Sequence, residues 1–246
     1  MFRVFVLGLF VPVAAFGQTL NSTQHVFPWF AHGRTASGGT YRTELILSNP
    51  NPTFANCSLH TAGFSVRLEG LNGALPFPAS TVTFAIFPAG YEVIRSIGDQ
   101  PLVSGFAVLT CAQPIFATSN FSFFSSPSDR NPAAEANVPS SIGGRSIEYV
   151  FDRRSGARLA IAIANPYPTT ATYNFNVVGS VTVTFLVLVP AGGVIARFLD
   201  ELVALPPNAT GKVIVSDSDF SRNIYSIGLK FSGDVFSSAQ PNVLLP

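Results

Sequence analysis

Apolar and polar residues alternate with a period of two along residues 170–177. One face of this segment is apolar and the other is polar: Ala171, Tyr173, Phe175 and Val177 against Thr170, Thr172, Asn174 and Asn176. This alternation is typical of an antiparallel strand with one buried face. Six similar runs occur in the same half of the chain, at 147–151, 158–164, 182–188, 194–198, 212–216 and 223–231. Seven short strands separated by turn residues predict a β-sandwich.

Several landmarks of this pattern occur twice. An apolar run that ends in Asn-Pro-x-Pro lies at 45–52 and returns at 161–168. Proline fixes φ and lacks a backbone donor, so each motif predicts a strand followed by a stiff turn. Pro-Ala-Gly follows at 88–90 and 190–192, and it predicts a hairpin turn in which glycine supplies a positive φ. We therefore expect two copies of one structural unit.

The chain is long enough for two such units. About 229 residues remain after the leader described below, which suits two sandwiches of roughly 100 to 110 residues each. Residues 131–144 contain the proline, glycine and serine expected of a junction. We predict a first domain over 18–140 and a second domain over 141–246. The predicted fold class is all-β, with two tandem immunoglobulin-like antiparallel β-sandwich domains.

The first residues have the pattern of a secretory leader. Arg3 precedes an apolar run at 4–16, and Ala15 and Gly17 stand at the −3 and −1 positions of a cleavage site. This pattern predicts a signal peptide over 1–17 and an exported protein that is secreted, periplasmic or held at the cell surface. A membrane anchor is the alternative, but the run is short for a bilayer span. Every later apolar run is interrupted, so no membrane span is expected after cleavage.

The charge balance bears on the partners. Without Arg3 the chain has 13 basic and 13 acidic residues, and charged residues make up 11% of the sequence. A formally neutral chain offers no basic surface for nucleic acid, so nucleic acid is not expected as a partner. The chain also has few charged residues and 23 phenylalanines. Since charged side chains on edge strands oppose pairing with a neighbouring chain, these edge strands have little protection against it.

The terminal strands are therefore candidate partner contacts, because such strands are the ones most easily completed by another chain. The residues chosen on this ground are Trp29, Phe30, Val235, Phe236 and Val243. Self-association is one hypothesis for what they contact. The alternative is that the two domains cover each other across a rigid junction.

Cys57 and Cys111 are the only cysteines, and a disulfide between them is expected in an exported protein. Alignment of the two copies places Cys57 level with Tyr173 and Cys111 level with Asp217. Both sulfur atoms should then point inward, with Cys111 near the end of its strand. A bond that closes this loop stabilises the fold by about 4 kcal/mol in the chain-entropy model. A free thiol is the alternative.

Candidate catalytic residues are few. His25, His32 and His60 all lie in the first domain, and His25 and His32 are expected at the two ends of an aromatic first strand. The Cys57-x-x-His60 spacing occurs in metal sites, but the disulfide would use the thiolate, so no metal and no cofactor are expected. The chain has no Gly-x-Ser-x-Gly motif. A non-enzymatic protein is expected; the alternative is a hydrolase of the first domain that uses His60 or His32 with nearby acids.

A family resemblance adds to this interpretation. The chain combines Phe30-Ala31-His32-Gly33, the two Asn-Pro-x-Pro motifs, and Pro-Ala-Gly followed by Phe198-Leu199-Asp200-Glu201. In these features it resembles tandem immunoglobulin-like, or fibronectin-III-like, modules of exported bacterial proteins of uncharacterised function. The resemblance implies a binding or structural module with a surface, adhesive or extracellular assembly role, whose partner is a protein or a glycan. It carries no catalytic residues across.

Overall fold

The computed structural model describes residues 21–70, 77–141, 143–233 and 235–244. Within these ranges the chain forms mostly strands and one four-residue helix. The first half holds β1 (Ser22–Arg34), β2 (Thr40–Ser48), β3 (Ala55–Thr61), β4 (Leu68–Glu69), β5 (Thr81–Ile86), β6 (Tyr91–Ser96), β7 (Val103–Phe124) and β8 (Ala134–Pro139). The second half holds β9 (Ser146–Asp152), β10 (Arg158–Ala164), β11 (Ala171–Gly179), β12 (Val183–Val189), β13 (Val194–Phe198), α1 (Leu199–Leu202), β14 (Thr210–Asp217), β15 (Tyr225–Ser232), β16 (Val235–Ala239) and β17 (Asn242–Leu244).

The prediction of an all-β protein is confirmed, and the strands pair antiparallel. The seven strands predicted in the second half are all present, and β10 and β13 have the predicted bounds. The predicted signal peptide at 1–17 lies outside the described residues. In the described part of the chain, no helix is long and apolar enough to cross a membrane.

Much of the predicted junction at 131–144 is a strand. β8 pairs with the end of β7, and its residues Ala134, Ala136 and Val138 are buried. Small apolar residues at every second position give this segment its buried face. The boundary between residues 140 and 141 remains a prediction.

β7 organises the first half because its 22 residues pair with four other strands. Its first part lies between β1 and β3, and its second part lies between β2 and β8. The sheet therefore has two arms, which we call the first arm (β1, β7, β3, β5) and the second arm (β8, β7, β2, β6, β4). Side chains from both arms form one core, which includes Phe27, Leu45, Leu59, Ile94 and Leu109.

The second half repeats this arrangement as two separate sheets. A five-stranded sheet has the order β12-β11-β14-β9-β17, and a four-stranded sheet has the order β13-β10-β15-β16. Side chains from both sheets form a second core, which includes Tyr149, Ile161, Ile163, Tyr173 and Phe175. The first strand of an immunoglobulin constant domain lies beside the second. Here β9 lies instead beside β14, and β1 lies mainly beside β7.

Asn49 and Asn165, the asparagines of the two Asn-Pro-x-Pro motifs, make the same hydrogen bonds in the two halves. Both side chains are buried. Each Nδ2 lies 2.8–3.2 Å from three carbonyl oxygens: those of Thr53, Ile86 and Phe87 for Asn49, and those of Thr169, Val189 and Pro190 for Asn165. Each Oδ1 accepts the backbone N–H two residues later. The asparagine therefore links the end of its own strand to the turn that follows β5 or β12, which we call the crossing turn. The prediction from proline included a stiff turn but not these hydrogen bonds.

That crossing turn differs from the prediction. The backbone N–H groups of the two asparagines donate to the carbonyl oxygens of Gly90 and Gly193, so these glycines are equivalent and the Pro-Ala-Gly motifs are one residue out of register. The positive φ falls on Ala89 (49°) in the first half and on Gly192 (61°) in the second. The predicted hairpin is wrong, because the strands on either side of the turn do not pair with each other. β5 pairs with β3 and β6 pairs with β2, so the turn connects the first arm to the second arm.

The two halves pack against each other through the outer face of the four-stranded sheet. Along β10, Ile161 and Ile163 point into the second core, whereas Ala160 and Ala162 point toward the first half. The buried side chains where the halves meet form one cluster. Its members are Ala31, Phe121, Ala134, Ala136 and Val138 of the first half and Ala162, Ile227, Leu229 and Phe236 of the second. We call this outer surface the joining face. Burial on both sides explains why β10 is apolar without alternation.

The anchoring asparagine gives a direct stability prediction. Replacement of Asn165 by alanine leaves buried carbonyl oxygens without a donor, so we expect Asn165→Ala to lower the free energy of unfolding by about 3 kcal/mol. Asn176→Ala is the control, because Asn176 is only partly buried and has a single 3.4 Å side-chain contact, with Thr184. Urea denaturation of both variants is the measurement. Equal midpoints for the two variants would contradict the anchoring role.

The crossing turns predict a reciprocal pair of substitutions. A residue with a Cβ atom in the left-handed region costs roughly 1 kcal/mol relative to glycine. We therefore expect Ala89→Gly to raise, and Gly192→Ala to lower, the free energy of unfolding by about 1 kcal/mol each. A Cβ atom on Gly192 would meet open space, so its cost comes from the backbone alone. Thermal melts of both variants test this, and shifts of the same sign would refute the turn geometry.

Candidate functional site

The predicted disulfide between Cys57 and Cys111 is confirmed. The two residues face each other on the adjacent strands β3 and β7, with their Cα atoms 4.0 Å apart. Both side chains are buried in the first core, as the predicted inward orientation requires. Cys111 is not near a strand end as predicted, because β7 continues to Phe124, whereas β14 ends at the equivalent residue Asp217. The bond is compatible with an extracellular or periplasmic location.

In the second half, Tyr173 and Asp217 occupy the register position of the disulfide. The Tyr173 hydroxyl group is buried and has no hydrogen-bond partner among the described residues. Burial, with the nearby negative charge of Asp217, raises the pKa of Tyr173 to about 12. The Asp217 carboxylate accepts the backbone N–H groups of Ser221 and Arg222. One half thus uses this position for a covalent link, and the other uses it to close a turn.

His25 and His32 lie buried within β1, whereas the prediction placed them at its two ends. The reason is that β1 extends to both sides of the aromatic segment and pairs with β7 over most of its length. The His25 ring contacts Ser140 Oγ at 2.8 Å and two backbone carbonyl oxygens at 3.0 Å. His32 Nδ1 accepts the N–H of Gly98 at 3.1 Å. Burial lowers the pKa of both rings below the ordinary value of 6.5.

The histidines of the alternative hydrolase contact structural groups. His60 is exposed and contacts Thr81 Oγ1 at 3.0 Å. Asp99, whose charge acts on His32, forms an ion pair with Arg67. Within the described ranges, no histidine nitrogen hydrogen-bonds a carboxylate, and no three potential metal-ligating side chains converge.

The predicted partner contacts lie in different environments. Phe30 is buried in the first core, and Phe236 is buried between the halves with Trp29 packed against the same cluster. Val243 lies in β17 beside β9, and Val235 is exposed. The structure therefore brings Trp29 and Phe236 together. The chain itself covers Phe30 in the first core and Phe236 between the halves.

A cleft of about 320 Å³ opens between the halves beside the joining face, and we call it the joining cleft. Its aromatic lining comes from both halves: Trp29, Tyr41 and Phe121 from the first, Phe198 and Phe231 from the second. Ala160, Ala162 and Ala196 line it as well, and these small side chains leave room beneath the first half. Arg197 and Glu201 are the charged residues in the lining.

The rim of the joining cleft is fixed by ion pairs around α1. Arg158 forms a two-pronged contact with Asp200, and its guanidinium lies 3.7 Å from the centre of the Phe198 ring. Arg153 binds the same carboxylate at 2.8 Å. The Glu201 carboxylate accepts the backbone N–H of Phe198, the N-cap residue of α1. It also lies 3.5 Å from the Arg158 guanidinium. These contacts hold the Phe198 ring in place at the cleft.

A second candidate surface is the outer face of the second arm. Arg95, Glu44, Asn120 and Asn137 face one another in register across β6, β2, β7 and β8, and we call this row the polar ladder. Arg95 forms an ion pair with Glu44. Asn120 Nδ2 donates to Glu44 at 3.3 Å, and Asn137 Nδ2 donates to Asn120 at 2.7 Å. Glu44, Arg95 and Asn120 also line a cleft of about 260 Å³.

The joining face and the polar ladder are the same surface in the two halves. Strand register makes the four ladder residues equivalent to residues of the joining face: Arg95 to Phe198, Glu44 to Ala160, Asn120 to Leu229 and Asn137 to Ser238. Three of these four joining-face residues are apolar, and Ala160 and Leu229 among them pack against the first half. All four ladder residues are polar, and they hydrogen-bond one another at the surface of the first half. The sequence signal that was missed is a polar residue at every second position in Arg42-x-Glu44, Asn120-x-Ser122 and Glu135-x-Asn137.

No protein-family model, no curated protein and no solved structure matches the chain. The candidate sites are therefore defined by the geometry of this chain alone.

The buried histidines predict a pH dependence of stability. Their pKa values are below 6.5 in the folded state, so the unfolded chain binds more protons as the pH falls through 6.5. Stability is therefore greatest above this range and is lost as the pH falls, by at most about 1.4 kcal/mol per pH unit for each histidine. We expect urea denaturation at pH 7.5 and 5.5 to show this loss, and His25→Gln to reduce it.

His60→Gln is the matched control, because His60 is exposed. This variant should keep the pH dependence of the unmodified protein. A pH dependence unchanged in His25→Gln but abolished in His60→Gln would refute the assignment.

Proposed function

We propose that the chain is a non-enzymatic binding module that acts outside the cytoplasm, and that its polar ladder binds a glycan. The observation that carries this proposal is the inversion of polarity on one surface of the repeated unit. The second half uses the surface to join the first, and the first half keeps it polar and open. Because the first half does not use this polar face to join the second half, the face is available for another contact.

The chemistry of the ladder suits a neutral glycan. Asparagine, glutamate and arginine side chains together both donate and accept hydrogen bonds, as sugar hydroxyl groups require. Three arginines and three glutamates line the adjacent cleft, so their formal charges cancel: Arg42, Arg95, Arg130, Glu44, Glu69 and Glu135. Hydrogen bonds within the row hold the side chains in place before a ligand arrives, which lowers the entropy cost of binding.

We also propose that each half is an immunoglobulin-like sandwich unit, with domains over 18–140 and 141–246. A separate core in each half and the repeated strand order support this division. Export is part of the proposal, with the leader at 1–17 as its signal and the disulfide as supporting chemistry. The structural contacts of the three histidines favour binding over the hydrolase alternative.

Glycan-array screening followed by calorimetric titration tests the function. We expect a neutral oligosaccharide to bind, and Asn120→Ala to weaken that binding at least tenfold, because Asn120 hydrogen-bonds both Glu44 and Asn137 of the ladder. Asn176→Ala, on the five-stranded sheet, should bind as the unmodified protein does. Absence of binding across a broad array, or equal affinity in both variants, would contradict the proposal.

A further inference from the structure

The joining cleft has features of a ligand site that are independent of the polar ladder. We propose that it binds a small amphiphilic anion, with an aromatic or alkyl body and one negative head group. The cleft lies between the two halves, has an apolar lining and has a volume of about 320 Å³. Small-molecule sites share these properties: an interdomain location, mostly apolar walls and a few polar groups.

The walls select the body of the ligand. Trp29, Tyr41 and Phe231 line the cleft with aromatic carbon, which suits a planar or alkyl group. Strand register makes the three alanines equivalent to larger residues of the first half: Ala160 to Glu44, Ala162 to Ile46 and Ala196 to Val93. Small side chains therefore leave space on this surface of the second half, whereas larger side chains occupy the equivalent surface of the first half.

The charges select the head group. Arg197 pairs with Ile161 and therefore leaves β13 on the face opposite to Ala196 and Phe198. Its exposed guanidinium reaches back to the cleft residue Ala196, to whose carbonyl oxygen it donates at 3.2 Å, and it forms no ion pair with any residue of the described ranges. Glu201, the other charged lining residue, is already engaged by Arg158 and by the Phe198 N–H. Arg197 is therefore the charged lining residue without an ion-pair partner in the described ranges, and a guanidinium binds carboxylate or sulfonate oxygens with paired donors.

The position of Trp29 supplies the assay. Trp29 is the only tryptophan of the chain and it lines the cleft, so its emission reports on this site. The probe is 1-anilinonaphthalene-8-sulfonate, an aromatic anion that accepts energy from tryptophan. We expect saturable binding of one probe per chain with energy transfer from Trp29. N-phenyl-1-naphthylamine, which has the same aromatic body without the sulfonate, should bind at least fivefold more weakly.

Variants locate the binding. Arg197→Gln should weaken the sulfonate probe at least fivefold and leave the affinity of the neutral probe unchanged. Arg130→Gln is the control, because Arg130 lies beside the polar ladder and away from the joining cleft. Ala196→Leu should fill the cleft and abolish transfer for both probes, and Ala160→Leu is the second filling variant if the first fails to fold.

Three results would overturn the proposal: no saturable transfer from Trp29, equal affinity of the two probes, or binding unaffected by both Arg197→Gln and a folded filling variant. Glycan titration of Arg197→Gln separates this proposal from the proposed function, because the polar ladder is intact in that variant. Loss of probe binding with normal glycan binding assigns the two ligands to different sites.

Discussion

The burial of one sheet on both of its faces is the constraint on which the rest of the structure depends. The four-stranded sheet covers its own core with Ile161 and Ile163, and it meets the first half with Ala162, Leu229 and Phe236. If the halves separated, this apolar outer face would be exposed to water, at a cost of roughly 25 cal/mol for each Å². The long strand β7 provides the cover, because its second part and β8 extend past the first core onto the second half.

One repeated frame consequently serves different purposes in its two copies. The frame itself is kept by Asn49 and Asn165, whose side chains make matching hydrogen bonds to the crossing turns. Side chains that do not hold the frame are free to differ. At one position the first half has a disulfide and the second has Tyr173 and Asp217. On the outer face, one copy is largely apolar and joins the halves, and the other is polar and lies at the surface.

Local patterns in the sequence predicted the strands and the disulfide, because period-two alternation and the repeat place residues on faces. They did not predict which strands would be neighbours, since pairing of β9 with β14 depends on contacts distant in sequence. The hydrogen bonds of Asn165 were not predicted, because its three acceptors come from two separate segments of the chain. The sequence pattern drew attention to the adjacent prolines instead. The joining cleft and the polar ladder were missed for the same reason, as their residues converge only through strand register.

Differential scanning calorimetry of the disulfide-bonded chain tests the central claim most directly. If the joining face binds the two halves into one cooperative unit, the protein melts in a single transition, with a calorimetric enthalpy equal to the van't Hoff enthalpy. Two separate transitions, or a calorimetric enthalpy near twice the van't Hoff value, would show that the halves unfold independently and would contradict this account.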